Sequence, residues 1–390
     1  MRITLAPVGT ASDVLPMLAL AKSLHAKGHL ITLCAAEEFR STIYKAGFPM
    51  FSNGKSYRNY LEAEGTAEDS STELAMLIGK DMAMHFVALR DATRHAEVLV
   101  GSRLQIAGPS MAEQLKIPYV YFTSSPGAVD YDQYPIFGVS QERLQKRRSK
   151  RLKDWDEHVL TSLNRERKLS HLAPVKNLFD YLYRSGQILL AIDPAIAPIK
   201  PAANQNVTGL CLFEDVFDVD ENLTSFLNEG PAPIYLAPFR INDGQELSGI
   251  CEALTNAGHR VVVGYGWSNP NLPAKCIASS STTYAQIFPH MSAIIHGGAS
   301  DVAAHAIRAH VPQIIAPFTA EQFYWGQRIA AAGAGVISQK ENTQIVSSVE
   351  QALKMSERIK SIQLSVQNGA ESAALSVEHA EPPRSQEKQE

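Results

Sequence analysis

The first 34 residues, MRITLAPVGTASDVLPMLALAKSLHAKGHLITLC (Met1–Cys34), decide the fold. Arg2 to Pro7 is a short apolar run typical of a strand, and Val14 to Ala26 has apolar residues at helical spacing. Gly28 to Cys34 then returns to a strand pattern. Because a strand, a crossover helix and a second strand form a βαβ unit, this segment predicts a parallel sheet covered by helices.

A second series of the same kind follows Gly230. Its strand candidates are short apolar runs separated by helical stretches: Pro233 to Pro238, Val261 to Gly264, Ile294 to Ile295 and Ile314 to Pro317. Two successive series predict two parallel-sheet domains, and 390 residues are enough for each domain to bury a core. We expect domains at 1–215 and 233–380, an acidic, Pro-containing linker at 216–232 and a disordered tail at 381–390.

The composition excludes several classes of protein. Hydrophobic residues make up 45% of the chain, and 36 Lys and Arg against 40 Asp and Glu give a formal net charge of −4. These values fit a folded globular protein and exclude a fibrous repeat or a disordered chain. The 4 cysteines lack any CxxC or Cys/His ligand spacing, which predicts reduced thiols and no metal site. With no signal-peptide pattern and no run of ~18 apolar residues, we expect a cytoplasmic protein.

One segment departs from this balance. Glu142 to Lys153 reads ERLQKRRSKRLK, in which seven of twelve residues are Lys or Arg. The simplest interpretation is a solvated helix face. The alternative is a surface for an acidic ligand or for peripheral contact at the inner membrane surface, because each basic residue near an anionic membrane gains about 1 kcal/mol. Nucleic acid has no support, since no recognition motif accompanies the run and the net charge is negative.

Three loops that follow strands carry the candidate site residues. The first, Val8-Gly9-Thr10-Ala11-Ser12-Asp13-Val14-Leu15-Pro16, lacks a GxGxxG pattern, so a dinucleotide fingerprint is not supported. It places Asp13 where the carboxyl end of a strand meets a helix, which is where open parallel sheets bind ligands. Asp is also among the best helix N-caps. The residues alone leave both interpretations of Asp13 open.

The other two loops follow later strands. Ser292 to Asp301 reads SAIIHGGASD, so a strand ends in a His and two glycines before a helix. This geometry directs backbone N–H groups at a phosphate, although a plain glycine-rich turn with an Asp cap has the same pattern. Pro317 to Gln322 reads PFTAEQ, in which Thr319 and Gln322 fit a capping box. A Glu–Gln pair beside an anion site also suits the hydroxyls of a sugar.

In this order, the segments resemble the GT-B glycosyltransferases of family 1, which include UDP-glycosyltransferases and sterol glucosyltransferases. GTASDVLPMLALAKSLHAKGH resembles the N-terminal G(S/T)xGDxxP element, and HGGASDVAAHAIRAHVPQIIAPFTAEQFYWGQRIAAAGAGV resembles the C-terminal donor signature. The basic run and Ala173 to Lys176, followed by Phe179, are most similar to the rhamnolipid rhamnosyltransferase of this family. The resemblance covers nearly the whole chain. It implies an α/β GT-B fold of two Rossmann-like domains with parallel sheets that face each other across a cleft.

The resemblance also implies the reaction. Asp13 in DVLP matches the general base of the family's (D/H)xxP element, which takes the proton of an acceptor hydroxyl during inverting sugar transfer. The donor is a nucleotide sugar (a UDP- or dTDP-sugar) used as co-substrate, with no cofactor and no metal, and the acceptor is a hydrophobic small molecule or lipid. The residues expected to bind the donor are Arg240, Tyr284, His296, Gly297, Gly298, Ala299, Ser300, Glu321 and Gln322. Those expected to bind the acceptor are Thr10, Ser12, Tyr121 and Ser124.

Four departures from the family pattern keep alternatives open. HGGxGT becomes HGGASD, and a carboxylate such as Asp301 placed ~4 Å from a phosphate costs about 4 kcal/mol at an effective dielectric constant near 20. The GFGS-like element is Ala237 to Arg240, Ser281 stands where an aromatic usually stacks on the base, and Ser12 replaces a Gly. The alternatives are a degenerate GT-B protein with a binding or auxiliary role, and a nucleotide-sugar epimerase or hydrolase on the same fold.

Overall fold

The computed structural model describes residues 1–57, 70–102, 104–125, 141–184, 186–214, 221–237, 244–264, 272–279, 284–338 and 342–382. Contacts within the chain divide it into two compact units. The first unit comprises Met1–Pro194, Pro198–Cys211 and Val366–Glu390, and the second comprises Ala195–Ala197 and Leu212–Ser365. The expected two-domain α/β architecture is confirmed.

The first unit is built on a parallel sheet of seven strands in the order β3-β2-β1-β4-β5-β6-β7. The order reverses between β1 and β4, so the loops after these two strands flank a crevice at the carboxyl edge of the sheet. The strands are β1 Arg2–Ala6, β2 Leu30–Ala35, β3 Met50–Ser52, β4 Val98–Gly101, β5 Tyr119–Thr123, β6 Gln187–Leu190 and β7 Gln205–Val207.

Helices cover this first sheet. The predicted strand, helix and strand at the N-terminus are confirmed, although the helix begins at Ala11, three residues before the first residue of the apolar pattern. The helices of the main body are α1 Ala11–Ala26, α2 Arg40–Lys45, α3 Ser70–Ala92, α4 Gly108–Leu115, α5 Gln141–Trp155, α6 Thr161–Leu169 and α7 Leu178–Arg184. A short 3-10 turn at Glu37–Phe39 precedes α2, and a π-helical turn at Asp156–Leu160 joins α5 to α6.

The second unit is built on a parallel sheet of six strands in the order β10-β9-β8-β11-β12-β13. The strands are β8 Ile234–Leu236, β9 Val261–Val263, β10 Cys276–Ala278, β11 Ala293–His296, β12 Gln313–Ile315 and β13 Gly335–Ile337. The helices are α8 Glu221–Asn228, α9 Gly244–Asn256, α10 Tyr284–Ile287, α11 Ser300–Arg308, α12 Ala320–Ala332, α13 Asn342–Leu353 and α14 Ser356–Lys360, with a 3-10 turn at Phe288–His290. The order reverses between β8 and β11, so the loop after β11 lies at the crevice of this sheet.

Both faces of the second sheet are buried, which explains its short, continuously apolar strands. On one face, Ile295 and Ile314 pack with α9 and α13, and on the other, Ile294 packs with residues of α10 and α11. Successive side chains of a strand point to opposite faces, so His296 shares the face of Ile294. Gln313 pairs with Ile294 in register and lies on that same face.

The C-terminal segment differs from the expected domain boundaries. Val366–Glu390 belongs to the first unit, whereas the sequence pattern predicted that residues up to 380 belong to the second domain. Helix α15, Gly369–Glu378, packs against α1. The Val366 N–H donates to Asp193 Oδ2 at 2.9 Å, and His29 Nε2 lies 2.8 Å from Glu378 Oε1. The apolar spacing predicts such a helix, but spacing within the helix does not say which sheet it covers.

The predicted linker at 216–232 is also corrected in part. Residues 215–220 lie outside the described residues, but the following residues form α8 of the second unit. Leu223 of this helix is 1% exposed and packs in the core with Tyr235 and Phe288. One buried leucine is enough to anchor a short helix that the acidic, Pro-containing composition had disguised. Of the predicted tail, residues 383–390 lie outside the described residues.

Two sequence expectations about the whole chain meet the structure here. All four cysteines are free thiols. Within the described part of the chain, none of the helices has the length and the hydropathy that crossing a bilayer requires.

Candidate active site

Asp13 lies in the first turn of α1, directly after β1. The helix N-cap is Thr10, whose carbonyl accepts from the Asp13 N–H at 3.0 Å. In return, the Thr10 N–H donates to Asp13 Oδ2 at 3.0 Å, so Asp13 is the third-residue member of a capping box. The interpretation of Asp13 as the N-cap itself is therefore wrong by three residues. Its carboxylate is oriented by the backbone and lies where the helix dipole favours negative charge.

The loop that carries Asp13 is fixed by close backbone contacts. Gly9 has φ +152°, and a Cβ atom there would lie 2.0 Å from Asp13 Oδ2. The Ser102 hydroxyl, at the end of β4, accepts from the Val8 N–H at 2.8 Å and lies 3.2 Å from the Val8 carbonyl oxygen. The loops after β1 and β4 are thus joined at the point where the strand order reverses.

The four expected acceptor residues have different placements. Thr10 and Ser12 are half-buried in the same helical turn as Asp13, and half-buried Ser124 directly follows β5. Tyr121 is 1% exposed and makes an edge-to-face contact with Tyr183, with ring centroids 5.6 Å apart. Its position on β5 directs the ring into the core beneath α7, so the structure brings Thr10 and Ser12, but not Tyr121, to Asp13.

His296, the last residue of β11, is fully buried and uses both ring nitrogens within the protein. Its Nδ1 atom accepts from the Gly298 N–H at 3.1 Å, and its Nε2 atom lies 2.9 Å from Gln313 Oε1. Burial is the main cause that lowers the pKa of His296 to about 4, against a smaller opposing effect of the Gln313 hydrogen bond. The imidazole is therefore neutral at pH 7, and the expectation that its ring binds the diphosphate is not favoured by these contacts.

Gly298 is required by its conformation and by its surroundings. Its φ is +99°, in the left-handed region, and a Cβ atom there would lie 2.8 Å from the Gln322 carbonyl oxygen. The turn after β11 therefore packs directly on the first turn of α12. Because the Gly298 N–H is held by His296, the phosphate-binding N–H groups expected of Gly297, Gly298, Ala299 and Ser300 do not include it.

Helix α11 begins at the end of this turn. Ala299 is its N-cap, and alanine has no side-chain acceptor for the N–H groups of the first turn. Asp301 is the second residue of the helix and is 7% exposed. The helix dipole stabilises a carboxylate at this position, so Asp301 is accommodated although it is not the cap residue.

Gln322 forms the expected capping box at the start of α12. Gln322 Oε1 accepts from the Phe318 N–H at 2.8 Å and from the Thr319 N–H at 3.0 Å, and the Gln322 N–H donates to Thr319 Oγ1 at 3.3 Å. These contacts use the amide oxygen, which leaves the amide N–H₂ as the group suited to a sugar hydroxyl. Glu321 is half-buried in the same turn.

The remaining expected donor residues are placed less favourably. Tyr284 is 9% exposed, and its ring stacks on Phe288 with centroids 4.9 Å apart. The ring also contacts Tyr235 and His305 edge to face, so stacking on a nucleotide base stays a prediction that this buried position does not favour. Arg240 lies outside the described residues, as does Ser281.

Comparison with known proteins decides the family. Residues 3–130 match the glycosyltransferase family 28 N-terminal domain. The glycosyltransferase GtfC of Amycolatopsis orientalis is 30% identical over 358 residues, which cover 86% of this chain and 85% of the relative. The chain belongs to the family 1 GT-B glycosyltransferases.

Two further likenesses agree with this membership. The vancomycin aglycone glucosyltransferase of Amycolatopsis orientalis is 28% identical to this glycosyltransferase over 353 residues, with 86% of this chain and 85% of the relative covered. The solved structure of the spinosyn rhamnosyltransferase SpnG, complexed with thymidine diphosphate, has a TM-score of 0.63 and 19% identity and covers 97% of this chain and 100% of that one. The expected GT-B fold is confirmed.

One residue on the donor side of this glycosyltransferase was not predicted from the sequence. Gln313 is completely buried and is the hydrogen-bond partner of His296. The available signal was a polar residue at the start of an apolar strand in VPQIIAP. As part of a family signature, this segment gave the glutamine no role of its own.

Substitution of Gly298 tests the packing of the turn. We expect Gly298→Ala to lower the free energy of unfolding by about 1–3 kcal/mol more than Gly258→Ala does. Gly258 has φ +93°, but a Cβ atom there would meet nothing within 4 Å, so it shares the backbone cost without the clash. Denaturant unfolding of both variants measures the difference. Equal losses would mean that the contact with Gln322 does not constrain the turn.

The buried histidines predict a loss of stability in mild acid. The pKa values of His85, His296 and His305 are lowered to about 4, chiefly by burial. An unfolded histidine titrates near 6.5, so between pH 6.5 and 4 the unfolded chain binds more protons and the free energy of unfolding falls as the pH falls. The expected loss at pH 5 is about 2 kcal/mol per histidine.

Denaturant unfolding between pH 7.5 and 4.5 measures this dependence. His305→Gln should reduce the slope, whereas His379→Gln, at an exposed position, should leave it unchanged. A slope that is insensitive to His305→Gln would contradict the assignment of acid sensitivity to buried histidines.

Proposed function

We propose that this glycosyltransferase is an inverting enzyme that moves a sugar from a UDP- or dTDP-sugar to a hydroxyl of a hydrophobic small molecule or lipid. The observation that carries the proposal is the backbone-oriented carboxylate of Asp13 at the carboxyl edge of the first sheet. The names of the vancomycin aglycone glucosyltransferase and of SpnG, complexed with thymidine diphosphate, support a small-molecule acceptor and a nucleotide-sugar donor.

Asp13 acts as the general base. The acceptor oxygen attacks the anomeric carbon as the bond from that carbon to the diphosphate oxygen breaks, and the departing electron pair stays on the diphosphate. The hydroxyl proton passes to Asp13. A carboxylate of reference pKa near 3.9 is a weak base for an alcohol, so the proton moves as the new bond forms, and a positioned base contributes ~10²–10⁴-fold to the rate.

The second unit binds the donor through its loops after β11 and β12. The first turn of α11, with Ser300 at its start, presents backbone N–H groups and the positive end of the helix dipole to the diphosphate. Donors aimed at the leaving group stabilise the charge that grows in the transition state. The amide N–H₂ of Gln322 and the carboxylate of Glu321 bind sugar hydroxyls. The nucleotide sugar is a co-substrate.

Asp13→Asn tests the base. Asparagine keeps a side-chain oxygen that can accept from the Thr10 N–H, so the capping box and the thermal stability should survive. The turnover number should fall by ~10²–10⁴-fold, with the dissociation constant for thymidine diphosphate unchanged. Thr10→Ala, which removes the other side chain of the capping box, is the matched control and should lower stability with a smaller effect on turnover.

Three outcomes separate the functions that the residues had left open. Full turnover by Asp13→Asn would reduce Asp13 to a helix-capping residue. Release or isomerisation of the sugar without an acceptor would favour the hydrolase or epimerase. Failure of the wild type to bind any UDP- or dTDP-sugar would favour the auxiliary protein.

We also propose that the basic helix α5 contacts an anionic membrane surface from the cytoplasm. The run Glu142 to Lys153 lies within this helix, and its exposed lysines Lys146, Lys150 and Lys153 recur at intervals of four and three residues, along one helical face. A single stripe of positive charge can approach a flat surface with all three lysines at once.

Vesicle sedimentation tests this contact. Lys146, Lys150 and Lys153 together replaced by Gln should weaken binding to phosphatidylglycerol vesicles by about a hundredfold at low salt, at about 1 kcal/mol per lysine. The control replaces Lys45, Lys116 and Lys168, exposed elsewhere on the first unit, and has the same net charge. Equal effects of the two triple variants would leave α5 as a solvated helix face.

A further inference from the structure

Gln313 is a polar side chain in an apolar position. It begins β12, is 0% exposed, and pairs in register with Ile294 of β11 and Gly335 of β13. Within the described part of the chain, its Nε2 atom has no hydrogen-bond partner. A buried amide N–H₂ without a partner is destabilising, and an apolar residue of similar size would avoid the loss. The hydrogen bond that Gln313 Oε1 makes to His296 is therefore the feature to explain.

Two hydrogen bonds fix the tautomer of His296. The Gly298 N–H can only donate, so His296 Nδ1 must be the ring nitrogen without a proton. The neutral ring then carries its proton on Nε2, which donates to Gln313 Oε1 at 2.9 Å. If Gln313 presented its N–H₂ group instead, the ring would carry its proton on Nδ1 and would oppose the Gly298 N–H. The glutamine oxygen is what permits the turn.

The contacts continue from this turn to the second donor loop. A Cβ atom on Gly298 would lie 2.8 Å from the Gln322 carbonyl oxygen, and Gln322 Oε1 holds the N–H groups of Phe318 and Thr319. A polar chain of contacts thus runs from the start of β12 through the ring of His296 to the first turns of α11 and α12. Both turns belong to the proposed donor site.

We propose that Gln313 is a positioning residue for donor binding, which holds His296 as the Nε2–H tautomer and thereby sets the shape of the His296–Gly298 turn that receives the diphosphate. This inference rests on the proposed function for its ligand, but its tautomer is a property of the protein alone. Gln313 does not touch the donor. It acts through His296, and His296 acts through the Gly298 backbone.

The tautomer can be measured in the wild-type enzyme without any ligand. Long-range ¹H–¹⁵N spectra distinguish a protonated ring nitrogen from an unprotonated one, and His296→Gln identifies the signal by its loss. We expect an Nε2–H ring that does not titrate between pH 7.5 and 5.5. A ring protonated on Nδ1, or a charged ring at neutral pH, would overturn the proposal whether or not any variant folds.

Gln313→Met and Gln313→Glu then test the link to the donor. Methionine keeps the size but loses the strong acceptor, so we expect a mixed tautomer and a dissociation constant for thymidine diphosphate about tenfold higher, as one hydrogen bond of 1–1.5 kcal/mol implies. Glutamate accepts the proton but raises the pKa of His296, so its affinity relative to wild type should fall as the pH drops from 8 to 6.

Gln286→Met, a half-buried glutamine of α10 in the same unit, is the control and should change neither the tautomer nor the affinity. A Gln313→Met enzyme with altered tautomer but wild-type affinity would overturn the role in donor binding. If the wild type shows the Nε2–H tautomer but binds no nucleoside diphosphate, the proposed function fails while the assignment of the tautomer stands.

Discussion

The reversal of strand order in each parallel sheet is the constraint on which the rest of this enzyme depends. Parallel strands end at one edge of their sheet, and where the order turns round, neighbouring loops diverge to opposite faces and leave a crevice. In the first unit this occurs between β1 and β4, and in the second between β8 and β11. The loop with Asp13 follows β1, and the turn with His296 follows β11. Each half of the proposed chemistry therefore occupies the edge that its own sheet makes available.

Within those crevices, backbone contacts rather than long side chains set the geometry. Asp13 is oriented by the Thr10 N–H and crowded by Gly9, and the turn after β11 is held by a buried imidazole and by close packing on Gln322. Such groups are ordered before a ligand arrives, so little reorganisation is needed when charge develops. Their cost is a buried polar chain in the second unit, which is stable only while His296 stays neutral.

Sequence reasoning reached the fold because the relevant signals are local. Strand-like runs alternating with helical spacing at Met1–Cys34, and again after Gly230, require parallel sheets wherever the helices pack. It failed where the answer is tertiary. The apolar face of α15 does not encode that it covers the first unit, and nothing in the ring of Tyr284 tells whether a base or Phe288 stacks on it. Asp13 and Thr319 were recognisable because capping boxes have fixed spacing, whereas the pairing of Gln313 with His296 joins residues on two strands.

The central claim is that the turns after β11 and β12 bind the nucleoside diphosphate of a sugar donor. Hydrogen exchange of the wild-type enzyme, with and without saturating thymidine diphosphate or uridine diphosphate, measures this directly. The account predicts slower exchange at residues 297–303 and 318–323, at the starts of α11 and α12, with no comparable change at the exposed end of α14 in the same unit. Binding that protects other segments and leaves these two turns unchanged would contradict it.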